Sequence, residues 1–188
     1  MANKLDYQTA LNKTKQMITN QNLFRHCLAV GHTMRYFAKN IYNLPEQEQE
    51  KWAIAGILHD ADWEKYPDQH PNVIVQWLKE INADPNIINA VASHGPELGV
   101  EPKTQMARVL RAIDEITGFI VAVALVKGRD LNAVTVKSIA KKWKDKGFAR
   151  GVHRDMVQQS AQEAGFELTQ LFEHVLTAMQ EIKDELGL

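Results

Sequence analysis

What the sequence has little of narrows the possibilities first. It contains one cysteine, Cys27, which excludes an internal disulfide and suits a reducing cytoplasm better than an oxidising exterior. The longest unbroken apolar run, residues 119–126, falls far short of the roughly 20 residues that span a bilayer. The N-terminal stretch is polar and lacks the apolar core of a signal peptide. The formal charge is only −1, so no global field draws the chain to nucleic acid or to an anionic membrane. No low-complexity tract, linker or internal repeat interrupts the 188 residues, and that length is expected to form one domain around one core. The expectation is a cytoplasmic protein with neither duplex nucleic acid nor membrane as partner.

Strict apolar–polar alternation is also nearly missing. Residues 134–136 are the one β-flavoured spot and are too short to count. Apolar residues spaced at three and four predict helices over residues 5–18, 23–42, 46–59, 73–81, 85–92, 102 or 103 to 127, 132–143, 155–164 and 168–186. Pro45 and Pro85 suit the opening of a helix, Gly95-Pro96 closes one, and Asn132 reads as a cap. The segment ending at Lys127 is apolar on more than one face and is expected at the centre. The fold expectation is all-α, a compact helical bundle.

Histidines and acids set into these apolar helices carry the chemistry. His59-Asp60 ends the run Ile54-Ala55-Gly56-Ile57-Leu58. Neighbours on a helix point about 100° apart, so both reach one ion only if the helix ends there and the aspartate bends across. His26 lies among Leu23, Phe24, Cys27 and Val30, and Asp114 among Met106, Val109, Leu110, Ile113 and Ile116. Such groups are costly to bury without partners. Together they offer inward-pointing donors from three helices, of a type that suits Mn, Fe, Co, Ni or Mg better than thiolate-preferring ions. His32, His153 and His174 are assigned to no metal. Lys137, Lys141 and Lys144 form a basic stripe that, with Arg150 and Arg154, reads as a solvated face, the alternative being that it folds back to supply phosphate contacts.

The order H…HD…D resembles the HD-domain superfamily of metal-dependent phosphohydrolases, in its small single-domain bacterial type. The resemblance covers about residues 23–127 and is carried by Arg25-His26-Cys27-Leu28-Ala29-Val30, Ile57-Leu58-His59-Asp60, His94-Gly95 and Ala112-Ile113-Asp114-Glu115. It implies an all-α core over about residues 22–128 with a C-terminal helical extension over about 129–188. Many members of the superfamily add histidines that build a second metal position, and His70 and His94 are the candidates here. Asp60 would then bridge two divalent ions, with His26, His59 and Asp114 on one and His70 and His94 on the other. The implied activity is hydrolysis of a nucleotide or another small phosphate mono- or diester by a metal-activated water, with one or two ions.

The segment after the His-Asp pair should rim that pocket. Asp60, Asp62 and Glu64 are the candidate catalytic acids, and Arg25, Trp63 and Lys65 the candidate substrate contacts. The alternative for Asp62 is to cap the next turn, for Trp63 to close the core edge, and for Glu64 and Lys65 to be solvated. Two other functions fit the same ligands: a mixed-valent di-iron oxygenase, and a catalytically silent sensor or scaffold. A Gly-Tyr-Pro signature for cyclic di-GMP hydrolysis is absent. Substrate identity and oligomeric state are not encoded in any recognisable motif.

Overall fold

Side-chain caps decide where the helices begin. In the computed structural model, which describes residues 5–188, the Asp6 carboxylate accepts from the Thr9 N–H (2.7 Å) and opens α1 (Tyr7–Met17). Asn20 accepts from the amides of Asn22 and Leu23 and opens α2 (Gln21–Tyr36). Pro45 precedes α3 (Glu46–Leu58), α4 spans Asn72–Glu80, and Asp84 caps α5 (Pro85–Ala92). Thr104 caps the long α6 (Gln105–Val126). Reciprocal capping boxes open α7 (Val136–Trp143) and α9 (Leu168–Glu181), with α8 (Arg154–Glu163) between them. A last turn, α10 (Lys183–Leu186), follows Ile182. The described residues contain no strand, so the chain is all-α.

Several boundaries differ from the sequence expectation for local reasons. The helix expected over 23–42 starts earlier because Asn20 supplies a cap, and it stops at Tyr36. From there it widens into a π-helical turn, Phe37–Ile41, in which the Tyr42 amide reaches the Phe37 carbonyl (3.0 Å). Asn132 is not the cap of α7. The Asp130 carboxylate accepts from its amide within a single 3-10 turn, Leu131–Ala133. Leu131 and Val134 are both buried, and the chain runs extended at Val134 before Thr135 and Ser138 start the helix. The segment expected as one helix over 168–186 breaks at Ile182.

The core is layered around two contacts. α2 and α3 pack most closely, through glycine. A Cβ on Gly56 would lie 2.7 Å from the Gly31 Cα and 2.8 Å from the Val30 carbonyl oxygen, so the two backbones touch. α6 runs through the centre, with Ala112, Ile113, Ile116, Phe119 and Ile120 fully buried. It packs against α2, α5, α8 and α9. Residues of the C-terminal extension therefore cover the central helix directly.

The basic residues of that extension divide into two kinds. Lys137, Lys141 and Lys144 are exposed. Arg154 is not part of the solvated face. Its guanidinium lies 5.4 Å from the ring centres of both Phe119 and Trp143. It donates to the carbonyls of Trp143 (2.9 Å), Asp145 (3.1 Å) and Phe148 (2.6 Å), closing the end of α7 and the turn after it. Arg154→Ala should lower unfolding free energy by about 3 kcal/mol, from the lost charged hydrogen bonds and ring contacts. Arg154→Lys should recover less than half, because an ammonium cannot fork to several carbonyls. Denaturant titration checks both; a loss below about 1 kcal/mol for Arg154→Ala would contradict the assignment.

Candidate metal centre

Helix ends aim the imidazoles. α3 stops at Leu58, His59 forms its C-terminal cap, and the chain turns immediately through Asp60 and Ala61. The aspartate thus bends across as the spacing requires. His59 Nδ1–H donates to the Gly56 carbonyl three residues back (2.7 Å). His94, just past the end of α5, repeats the device with the Val91 carbonyl (2.7 Å). His70 Nδ1–H donates to Asp62 Oδ1 (2.6 Å). On α2, His26 Nδ1 faces the Thr117 hydroxyl oxygen (3.3 Å), whose own proton goes to the Asp114 carbonyl (2.7 Å). Each Nδ1 has an acceptor within reach, so in the neutral rings each Nε2 presents a lone pair.

Those lone pairs converge. His26 Nε2 and His59 Nε2 are 3.2 Å apart, and His70 Nε2 and His94 Nε2 are 3.1 Å apart. Asp60 lies between the pairs, with Oδ2 3.4 Å from His59 Nε2 and 3.7 Å from His26 Nε2. Its Oδ1 is 3.4 Å from His70 Nε2 and 3.5 Å from His94 Nε2. Asp114 Oδ1 joins the first pair, 2.9 Å from His26 Nε2 and 3.3 Å from His59 Nε2. Two groups of possible ligands result, His26–His59–Asp60 and Asp60–His70–His94, each with its donor atoms within 4.8 Å of one another. Facing imidazole lone pairs repel unless a proton or a cation lies between them, and two carboxylates add negative charge. The donor set therefore fits one or two divalent cations.

Other candidate residues are distributed differently. Asp62 is fully buried; one oxygen holds His70 and the other accepts from the Ile74 N–H (2.9 Å). Its carboxylate orients the His70 ring and does not line the pocket, which corrects the expectation that it is a catalytic acid. Glu64 also lies elsewhere. Its carboxylate accepts from the amides of Thr19 and Asn20 (both 2.9 Å) and from the Thr19 hydroxyl, at the junction of α1 and α2. Lys65 donates to the Gln16 carbonyl (2.7 Å) at the same junction. Both latch a turn and face away from the cluster, so neither the catalytic expectation for Glu64 nor the substrate expectation for Lys65 holds geometrically. Trp63 is half-exposed at the pocket edge, its ring edge-on to His70. Arg25 lines a different cavity, beside His26.

The pocket over the cluster has a volume of about 150 Å³ and brings in groups the sequence did not single out: Arg111, Glu97, Glu115, and Met156, Val157 and Ser160 of α8. Arg111 is tied by Nε to the Ser93 carbonyl (2.7 Å) and by Nη2 to the Val100 carbonyl (2.6 Å), a fixed cation at the rim. Partners that are backbone carbonyls leave no side-chain pattern to find. Glu115 accepts from the backbone N–H (2.6 Å) and the ring of His153 (3.0 Å), which anchors the start of α8. Cys27 is buried, and burial pushes its thiol up to about 12, so it offers no thiolate nucleophile.

Charge is tightly coupled in the cluster. Burial weighs most on His59 and opposes its charge, but Asp60 and Asp114 together outweigh it and hold the imidazolium well above its ordinary 6.5. Burial likewise opposes ionisation of Asp60 and Asp114. The neighbouring imidazoles, His59 first, override it and hold both carboxyls below their ordinary 3.8. The carboxylate contribution to stability is present above 3.8 and lost as pH falls; the His59 contribution is present below 6.5 and lost as pH rises through its raised value. Metal-free protein should therefore be most stable between those limits, and added Mn should remove the alkaline decline, since ligation needs deprotonated donors. Thermal unfolding against pH, with chelator and with Mn, measures this. Chelated protein that is more stable at high pH than in mild acid would contradict it.

With this geometry in hand, comparison with known protein families gives the class. The HD domain family model matches residues 23–118, half of the chain, and the chain belongs to that family, whose members are mostly metal-dependent hydrolases. No curated protein and no solved structure gives a significant match. The matched segment carries all six clustered residues, whereas the α8 wall lies beyond it.

Proposed function

We propose that this protein is a metal-dependent phosphohydrolase acting on a nucleotide or another small phosphate mono- or diester. The observation that carries the reading is the divided Asp60 carboxylate, with one oxygen toward His26 and His59 and the other toward His70 and His94. His26, His59, Asp60 and Asp114 would hold one cation, and Asp60, His70 and His94 a second. Bound there, such ions supply Lewis acidity that lowers the pKa of water toward neutrality and positive charge toward phosphoryl oxygens.

The chain's own groups prepare that site. The carbonyls of Gly56 and Val91, the Asp62 carboxylate and the Thr117 hydroxyl oxygen keep the Nδ1 protons in place, so the Nε2 atoms remain acceptors. Arg111 sets a permanent cation where an anionic ester enters. Trp63 offers a flat face at the rim on which a planar leaving group stacks. Met156 and Val157 close the far wall and limit water at the reacting phosphate.

Elemental analysis of the purified protein, followed by a screen of phosphate esters with Mn, Co, Ni and Mg under anaerobic conditions, tests the reading. The expected result is one or two ions per chain and hydrolysis without oxygen. Bound iron with oxygen consumption would replace it with oxygenase chemistry. Absence of both metal and hydrolysis under every condition would remove it.

A further inference from the structure

A second cavity, of about 440 Å³, lies beside the metal cluster along the groove between α2 and α6. Ligand sites commonly occupy about 300–1,000 Å³. From α2 it takes Asn22, Arg25 and one side of His26, and from α6 it takes Gly118, Val121 and Leu125. Asp114, Gly118, Val121 and Leu125 are spaced four, three and four apart, so they form one stripe of the helix, leading away from the cluster. Arg129 and Leu186 complete the opposite wall.

Three features of this cavity bear on what it could hold. Arg25 and Arg129 both line it, and neither guanidinium is engaged in an ion pair or side-chain hydrogen bond among the described residues. Arg129 follows Gly128 in the left-handed turn that ends α6, where its N–H donates to the Ala124 carbonyl (2.9 Å), so the helix end fixes its place on the cavity wall. Gly118 sits inside a 22-residue helix, where glycine is unfavourable, yet a Cβ there would meet nothing within 4 Å. Close helix packing, the reason for Gly56, does not apply at Gly118, which is exposed on α6 and leaves the groove open where a side chain would stand.

We propose that this groove is a binding site for a small amphiphilic anion, a carboxylate or phosphate head on an apolar body. Arg25 and Arg129 neutralise the head, and Gly118, Val121, Leu125 and Leu186 accept the body. These six residues lie outside the metal cluster, which the cavity borders at His26.

Octanoate and octyl phosphate are the probes, with octanol and inorganic phosphate as the two halves of the chemistry. Calorimetric titration of the full chain as purified, with its metal content recorded, is expected to show one of the anionic amphiphiles binding at least about tenfold tighter than either half. Arg25→Gln and Arg129→Gln should each weaken it by about tenfold. Gly118→Leu should abolish it while keeping the metal content and raising or maintaining the melting temperature. The preferred head group distinguishes a carboxylate ligand from a phosphorylated one. Binding that both arginine variants retain, binding to a folded Gly118→Leu protein, or affinity no better than that of octanol and phosphate would overturn the proposal. If Gly118→Leu fails to fold, the arginine variants decide.

Discussion

Gly56→Ala is expected to destabilise the protein by about 3 kcal/mol or more, although a glycine-to-alanine change inside a helix ordinarily stabilises by up to about 1 kcal/mol. The sign is the test. The new methyl would stand 2.7–2.9 Å from three backbone atoms of α2, and backbone cannot rotate away as a flexible side chain can. α2 and α3 must separate, and they carry His26 and His59, whose Nε2 atoms lie 3.2 Å apart. Metal content should therefore fall together with stability. Gly31→Ala should cost less, because its Cβ would meet its nearest neighbours at 3.2–3.3 Å. Chemical denaturation and elemental analysis of the two variants read both effects. A Gly56→Ala protein as stable as the parent would mean that the helix contact is not what spaces the histidines.

Asp60→Asn should lower metal affinity, and with it the proposed phosphoester hydrolysis, by more than about a hundredfold. Loss of a partner that merely orients a ligand costs about 10–100-fold, and Asp60 stands among all four imidazoles. Asparagine keeps the shape but offers one acceptor oxygen and no charge. Asp62→Asn provides the internal comparison. The oxygen facing His70 can survive the change, while the one accepting from the Ile74 amide is replaced by a donor, so the loss should stay within the smaller range. Metal titration and steady-state kinetics on both proteins separate a bridging carboxylate from an orienting one. Equal effects at the two positions would contradict the assignment of roles.

The sequence made the helices legible where a single cap dominated, and ambiguous where two competed. Asn132 and Thr135 are both good capping residues. Burial of Leu131 and Val134 decided for Thr135, and that is a tertiary fact. The six clustered residues were legible because imidazoles and carboxylates on apolar helices have few inexpensive fates. The roles of the acids after Asp60 were not, because Asp62, Glu64 and any pocket acid look alike in one dimension. Glu64 meets its partners 44 and 45 residues earlier in the chain, and Arg154 meets its carbonyls only once the turn after α7 has folded around it.

The wall that α8 places over the pocket has a consequence for how such a protein can diversify. Every clustered donor lies at or before Asp114, whereas Met156, Val157 and Ser160 belong to a later stretch held over them by Glu115 and His153. On the proposed reading, chemistry and selectivity are thus written in separable parts of the gene. Replacing a few side chains on that one face would reshape the room available to a guest molecule and leave the clustered imidazoles and carboxylates as they were.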